Sequence, residues 1–205
     1  MKIIGVTGGV GSGKSSVLKY LEEVYQATVI EADKVGKMVQ QAGNEAYESI
    51  IAQFGHESVG DDGELDRAYL AQVIYADEAK RQLMNDIVHP IVKAFIAEQI
   101  EIERAYGTSY VIIEAAILIE SNLAEMCDEV WYIYVDEEIR IKRLMESRNY
   151  SSEKCKMIMA SQLSEEVFRE KCQVCIDNSL SLEYTYKQID EEFIRLKEEQ
   201  KTEIM

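Results

Sequence analysis

The sequence predicts an α/β fold of three layers, with a five-stranded, mostly parallel sheet between helices. Three observations support this. Short, continuous apolar stretches alternate with segments of helical periodicity, as in parallel sheets covered on both faces. A glycine-rich turn joins the first apolar stretch to the first helical one. A long run of helical patterns then separates the second strand from the third, which predicts an all-helical insertion beside the sheet.

Ile3-Ile4-Gly5-Val6 reads as the first strand, and behind the glycine-rich turn Val17, Leu18, Leu21 and Val24 recur at helical spacing. Thr28-Val29-Ile30 forms a short second strand that leads into Glu31-Ala32-Asp33. Helical patterns follow through Tyr47 to Phe54, Leu65 to Tyr75 and Ala79 to Arg104, the last containing Pro90, the only proline. Tyr110 to Ile113 and Val130 to Val135 are apolar without a break, as buried parallel strands are, and Val174-Cys175-Ile176 supplies the fifth strand. Helices are expected at Glu137 to Glu146, at Ser152 to Gln162, and from about Leu182 to Gln200. The sequence has neither internal repeats nor low-complexity linkers, and only its last few residues are expected to fray. One domain over 1–205 is expected, with a core of about 1–40, 108–136 and 172–205, the insertion at about 41–107 and a lid region at about 137–171.

At 205 residues the chain suits one domain with an inserted element. A formal net charge of -16 argues against nonspecific nucleic-acid binding, which relies on basic side chains neutralising backbone phosphates. Any anionic ligand must therefore meet cations gathered in one cleft. No run of about 18 apolar residues suggests a membrane partner, and the N-terminus is too short and too soon interrupted by glycine for a signal peptide. A cytoplasmic monomer or small homo-oligomer is expected. Cys127, Cys155, Cys172 and Cys175 do not resemble a disulfide framework. Cys172-Gln-Val-Cys175 has C-x-x-C spacing but no second pair or nearby histidine to complete a metal site, so a structural role is expected.

Gly8-Gly9-Val10-Gly11-Ser12-Gly13-Lys14-Ser15 matches the phosphate-binding pattern G-x-x-x-x-G-K-[ST] at every fixed position, between a strand and a helix. Gly8, Gly9, Gly11 and Gly13 permit the backbone angles that aim successive N–H groups at one point, and the helix beginning near Lys14 adds its positive dipole end. Lys14 is placed to reach the β and γ phosphates of a nucleotide, and the Ser15 hydroxyl to ligate Mg²⁺. Ser12 and Ser16 complete the expected nucleotide-binding set. Glycine-rich turns also serve packing alone, but packing needs no Lys-Ser pair at a helix start.

In open α/β sheets, ligands sit at the carboxyl ends of the strands, and two acids stand there. Asp33 follows the second strand and suits the task of taking a proton from an acceptor hydroxyl; its alternative is capping a helix that starts at Lys34. Glu114 follows the third strand, where it would hold Mg²⁺ directly or through water. Arg140, Lys142, Arg143 and Arg148 cluster on or just after one helix, with Arg140 and Arg143 on one face. Arginines on a mobile lid would stabilise transition-state charge; the alternative is a solvated helix face.

These residues, in this order, resemble the dephospho-CoA kinase family, a group of P-loop kinases. Thr7 to Ser15 is similar to that family's T-G-G-I-G-S-G-K-S, and Ile30 to Asp33 to its I-D-A-D. Phe54-Gly55 and Asp62 to Leu70 resemble F-G and D-G-x-L-D-R-x-x-L, and His89-Pro90 its H-P. Glu114 to Glu120 occupies the place of D-V-P-L-L-F-E, Arg143-Leu144 with Arg148 that of R-L-x-x-R, and Gln162 and Ile176-Asp177-Asn178 those of a late Q and I-D-N. The resemblance spans nearly the whole chain. It implies a P-loop kinase fold with a helical substrate-binding insertion and a helical lid, and transfer of the γ-phosphate of ATP to the ribose 3′-hydroxyl of dephospho-CoA. Asp33 would be the base, Arg143 and Arg148 would act from the lid, and Asn178 would line the wall near the adenine. Asp66, Arg67 and His89, with Glu114 and Arg140, would face dephospho-CoA; Asp66 as a helix cap and His89 as a buried, hydrogen-bonded side chain remain alternatives. Departures are Glu114 for Asp, Ala116 and Ile119 for Pro and Phe, Arg140 for a frequent Gln, and Leu180 where Gly often follows the Asn.

Three rivals use the same loop. A GTP-dependent switch needs an N-K-x-D segment, which the sequence lacks. A kinase of another small metabolite differs only in the insertion. A non-catalytic ATP-binding regulator has no need of the base that Asp33 provides.

Overall fold

A computed structural model describes residues 1–203; the fraying expected of the last residues falls partly on Ile204 and Met205, outside the described residues. The strands are β1 (Lys2–Thr7), β2 (Thr28–Glu31), β3 (Tyr110–Glu114), β4 (Glu129–Tyr134) and β5 (Val174–Asp177). They form one parallel sheet in the order β2-β3-β1-β4-β5. On one side β1 pairs with β3, from Lys2 opposite Tyr110 to Val6 opposite Glu114; on the other it pairs with β4, from Ile4 opposite Glu129 to Thr7 opposite Tyr132. The segment after β1 therefore leaves the middle of the sheet, where the strand order reverses direction. Open α/β sheets bind ligands at such a switch point.

The helices are α1 (Lys14–Tyr25), α2 (Ala32–Val39), α3 (Glu45–Phe54), α4 (Arg67–Ala76), α5 (Glu78–Tyr106), α6 (Glu137–Arg148), α7 (Ser152–Ala160), α8 (Glu165–Lys171) and α9 (Leu182–Glu203). Residues Met1–Val29 and the chain from Thr108 onward form one compact unit; Ile30–Gly107 form a second.

In the first unit, alternate residues of the strands (Ile4, Val6, Ile112, Trp131, Ile133, Ile176) meet Val17, Leu18 and Leu21 of α1 and Ile189, Phe193 and Leu196 of α9. Val24, expected on the same helical face, is 53% exposed, because α1 ends at Gln26 in the left-handed conformation and turns Ala27 inward instead. Phe193 is the hub of the cluster: its ring stacks on Tyr25 at 3.6 Å and meets Tyr110 and Trp131 edge-on. Polar contacts fix the same helix. Asp190 accepts hydrogen bonds from the hydroxyls of Tyr20 and Tyr25, and Arg195 donates to both oxygens of the buried Glu129 carboxylate. On the opposite face, Phe168 of α8 stacks on Tyr132 at 4.6 Å. That ring is the one buried anchor in Glu-Glu-Val-Phe-Arg-Glu-Lys, so α8 has no apolar periodicity by which the sequence could announce it.

In the second unit, α2, α3 and α4 pack on the 29-residue α5, which buries Val88, Val92, Ile96 and Ile100 along one stripe. Asp66 and Asp77 cap α4 and α5 through side-chain oxygens. The expected all-helical character has one exception, an antiparallel bridge between Val59 and Leu65. Among the described residues no helix is long and apolar enough to cross a membrane.

Phe193→Ala should destabilise the first unit by about 3–5 kcal/mol, since it empties the site that three aromatic rings share. Equilibrium denaturation of the full chain measures this.

Candidate active site

The loop between β1 and α1 is built around backbone donors. Gly8, Gly11 and Gly13 adopt positive φ, as the sequence led us to expect, whereas Gly9 does not. A Cβ at Gly9 would fall within the Arg140 guanidinium and displace it. Gly13 caps α1 in the left-handed conformation without a side-chain cap, and the N–H groups of Gly11, Gly13 and Ser15 have no acceptor among the described residues. Uncapped donors at a helix start are an anion site in waiting. The N–H groups of Ser12 and Ser16 are taken by the Gly9 and Gly13 carbonyls, so of the expected set these two keep only their hydroxyls for a ligand. The buried Ser12 and Thr7 hydroxyls have no partner among the described residues, a condition costing about 1–3 kcal/mol each unless something polar arrives.

Lys14 extends from the first turn of α1 so that its Nζ donates to the Gly8 carbonyl at 2.9 Å and stands 3.5 Å from Glu114 Oε1. Glu114 is the last residue of β3 and almost fully buried. Ser15, exposed in the first turn of α1, and Glu114 offer oxygen donors, the type a hard divalent cation takes. No cluster of three or more His, Cys, Asp or Glu suited to a metal exists among the described residues, so a cation at this loop would depend on phosphate oxygens as well.

Helix α6 lies against the loop. Arg140, expected to face dephospho-CoA, instead donates from Nε to the Val10 carbonyl and from Nη2 to Gln162 Oε1. It also lines a cleft of about 340 Å³ with Tyr132, Tyr134, Lys156, Met159 and Glu165. Arg143 reaches the Asn178 carbonyl, and its Nη1 lies 3.5 Å from where a Cβ on Gly13 would stand. Arg148, at the end of α6, is exposed, one helical turn beyond Leu144, and its side chain makes no hydrogen bond or ion pair among the described residues. The structure thus brings Arg143 to the loop and shows Arg148 without a protein partner among the described residues. Asn178 is buried; its amide donates to the Ser12 carbonyl and its oxygen accepts from Thr185. Its side chain is thereby a brace for the loop. Thr185 and Gln162 complete these braces; the resemblance marked Gln162 as the late Q without giving it a role, and nothing in the sequence marked Thr185.

The second unit presents Asp33 in the first turn of α2, exposed and without an ion-pair or side-chain hydrogen-bond partner among the described residues; the helix begins at Ala32 with Glu31 before it, so Asp33 is not its cap. Asp66 does cap, accepting from Ala68 and Tyr69, and Arg67 beside it is exposed. His89 lies half-buried inside α5 with no hydrogen-bond partner among the described residues, contrary to the hydrogen-bonded alternative. Burial lowers its pKa, and nearby Asp86 opposes this only in part. In the first unit, burial pushes the Cys172 thiol up to about 12, which disfavours the thiolate that redox or metal chemistry at C-x-x-C requires.

Comparison with known proteins decides between the rivals. A family model described as dephospho-CoA kinase matches residues 2–183. This chain belongs to the dephospho-CoA kinase family. It is 38% identical over 186 residues to the dephospho-CoA kinase of Shouchella clausii, covering 91% of this chain and 94% of that protein. The structure is similar to that of TT1252 from Thermus thermophilus, with a TM-score of 0.81 at 25% identity over 95% of this chain and 97% of the other. A dephospho-CoA kinase from Campylobacter jejuni shares the fold, with a TM-score of 0.71 at 22% identity over 98% and 100% of the two chains. Membership of the family makes the protein an ATP-dependent kinase of dephospho-CoA and sets aside the switch and the regulator.

The lowered pKa of His89 has a sign that can be checked. The fold favours the neutral ring, so this contribution to stability is complete above about pH 6.5 and is lost as pH falls through the lower folded value. His89→Gln should therefore lose less thermal stability than the parent between about pH 6.5 and pH 5, measured by melting at each pH.

Proposed function

We propose that the loop, Asp33 and a few cations divide the work of moving the γ-phosphate of ATP to the ribose 3′-hydroxyl of dephospho-CoA, giving CoA and ADP. The observation that carries this assignment is the set of acceptor-free N–H groups at Gly11, Gly13 and Ser15 beside the Lys14 ammonium. Phosphoryl transfer leaves little covalent work to the protein, so positioning and charge neutralisation dominate. The loop receives the α and β phosphates, and Lys14 follows the charge that develops between the β and γ groups. Held by Ser15 and phosphate oxygens, with Glu114 directly or through water, Mg²⁺ would neutralise phosphate charge.

Asp33 accepts the proton of the 3′-hydroxyl as that oxygen attacks phosphorus. Its exposed carboxylate, with neither capping duty nor ion pair, supports the role. Arg143 stabilises the equatorial oxygens from beside Gly13, and Arg148 joins it only if α6 and the following helices move as a lid over 137–171. Asn178 holds the wall on the adenine side through its grip on Ser12. Arg67 and His89 receive dephospho-CoA on the helical insertion, and Asp66 holds the start of α4 beside Arg67 as its cap. For His89 the support is an imidazole kept neutral and without a protein partner, and for Arg67 an exposed guanidinium suited to phosphate. A cytoplasmic location and a monomer or small homo-oligomer complete the proposal.

Purified protein with MgATP should release ADP with dephospho-CoA well above the rate with other hydroxyl acceptors; equal or zero turnover across such a panel would overturn the acceptor assignment. Asp33→Asn should lower kcat by about 10²–10⁴-fold, the usual contribution of a general base, while ATP affinity measured by calorimetry stays unchanged. Retained turnover would remove Asp33 as the base.

A further inference from the structure

Val10 stands at the crest of the loop, and both of its backbone polar groups are held by side chains more than a hundred residues away. Its N–H donates to Gln162 Oε1 at 3.1 Å, and its carbonyl accepts from Arg140 Nε at 3.2 Å. The two side chains are themselves joined, Arg140 Nη2 donating to the same Gln162 oxygen at 3.0 Å. The result is a closed ring of three hydrogen bonds in which both lone pairs of one amide oxygen are used. It fixes the peptide planes on either side of Val10.

The surroundings are shaped to this ring. The guanidinium fills the space a Cβ on Gly9 would take, so a side chain there would displace it from the ring, and a Cβ on Gly11 would come 3.0 Å from Cγ of Leu144, one helical turn after Arg140. Burial lowers the Arg140 pKa, so its charge is held against a desolvation cost and its acceptors matter more. Gln162 is set by the turn that ends α7, where its own N–H donates to the Met159 carbonyl. Neither the loop's phosphate-facing donors nor the acids contribute to the ring.

We propose that Gln162 is a positioning residue for the kinase reaction: its side-chain oxygen, shared by Val10 and Arg140, locks the crest of the phosphate-binding loop to the α6–α7 segment. The inference rests on the reading that this loop holds the phosphates of ATP. A glycine-rich loop loses more conformational freedom on binding than any other kind, and a crest already fixed lowers that cost. Fixing the Val10–Gly11 peptide also sets where the run from Gly11 to Ser15 starts, so the geometry of the donors depends on α6 and α7 being seated. The effect falls on ATP and not on the acceptor.

Steady-state kinetics of Gln162→Leu and Gln162→Glu with MgATP and dephospho-CoA test this, with melting curves alongside. Leucine has similar size and no acceptor; it should raise KM for ATP about tenfold while KM for dephospho-CoA stays within about twofold. Glutamate keeps an oxygen for both donors and should restore KM for ATP to within about twofold of the parent. Equal shifts in both KM values, a lowered melting temperature with unchanged KM for ATP, or failure of glutamate to rescue would each overturn the proposal. Gln162→Asn, which withdraws the oxygen by one methylene but stays polar, takes the place of leucine if that variant does not fold. Calorimetric affinity for a non-hydrolysable ATP analogue separates the two levels. A parent that binds the analogue without turnover contradicts the acceptor assignment alone, and a parent that does not bind it contradicts the loop reading on which Gln162 depends.

Discussion

The first unit depends on one constraint: a run of backbone N–H groups must stay together at the centre of the sheet's carboxyl edge with no acceptor among the described residues to satisfy them. Gly11, Gly13 and Ser15 meet it because the loop between β1 and α1 is held from outside. Asn178 grips the Ser12 carbonyl, and Arg140 with Gln162 grips Val10. Gly9 and Gly13 admit these braces by lacking side chains. Left unbraced, so many glycines would leave the loop too mobile to present a fixed charge pattern.

The acidic balance of the chain sharpens the same requirement. With a net charge of -16, the field over most of the surface repels nucleotides, and attraction has to be local. Lys14, Arg140 and Arg143 are all partly buried around the loop, where screening by water and salt is weakest. Each has partners that set its place: Lys14 between the Gly8 carbonyl and Glu114, Arg143 on the Asn178 carbonyl, Arg140 within the ring on Val10. The interior also contains Glu129, which Arg195 of α9 balances from the side of the aromatic cluster. The acids are thus either exposed or paired wherever they approach the core.

Much of this was legible in the sequence, and the exceptions share a cause. The strands could be read because parallel strands buried on both faces are apolar without interruption, and the loop because its chemistry needs fixed residue types at fixed spacing. The helices of the insertion followed from periodicity. By contrast, α8 carries a single anchor, Phe168, and no periodic signal; Val24 keeps the right spacing but falls in the last turn of α1, where Ala27 after the helix packs inward in its place. Asp66 could be read as either cap or ligand, and its hydrogen bonds to Ala68 and Tyr69 establish the cap. Arg140 and Asn178 were identified as site residues, yet their partners are backbone carbonyls, which leave no trace in residue type.

The sequence by itself determined the sheet, the phosphate-binding loop and, through the order of its later motifs, the family. It could do so because periodicity and motif spacing are local properties of the chain. Only the tertiary structure decided which side chains brace the loop, and that Gln162 joins Val10 to Arg140. The two contacts on Val10 link residues 130 or more positions apart through backbone groups every residue possesses, so folding alone could select them.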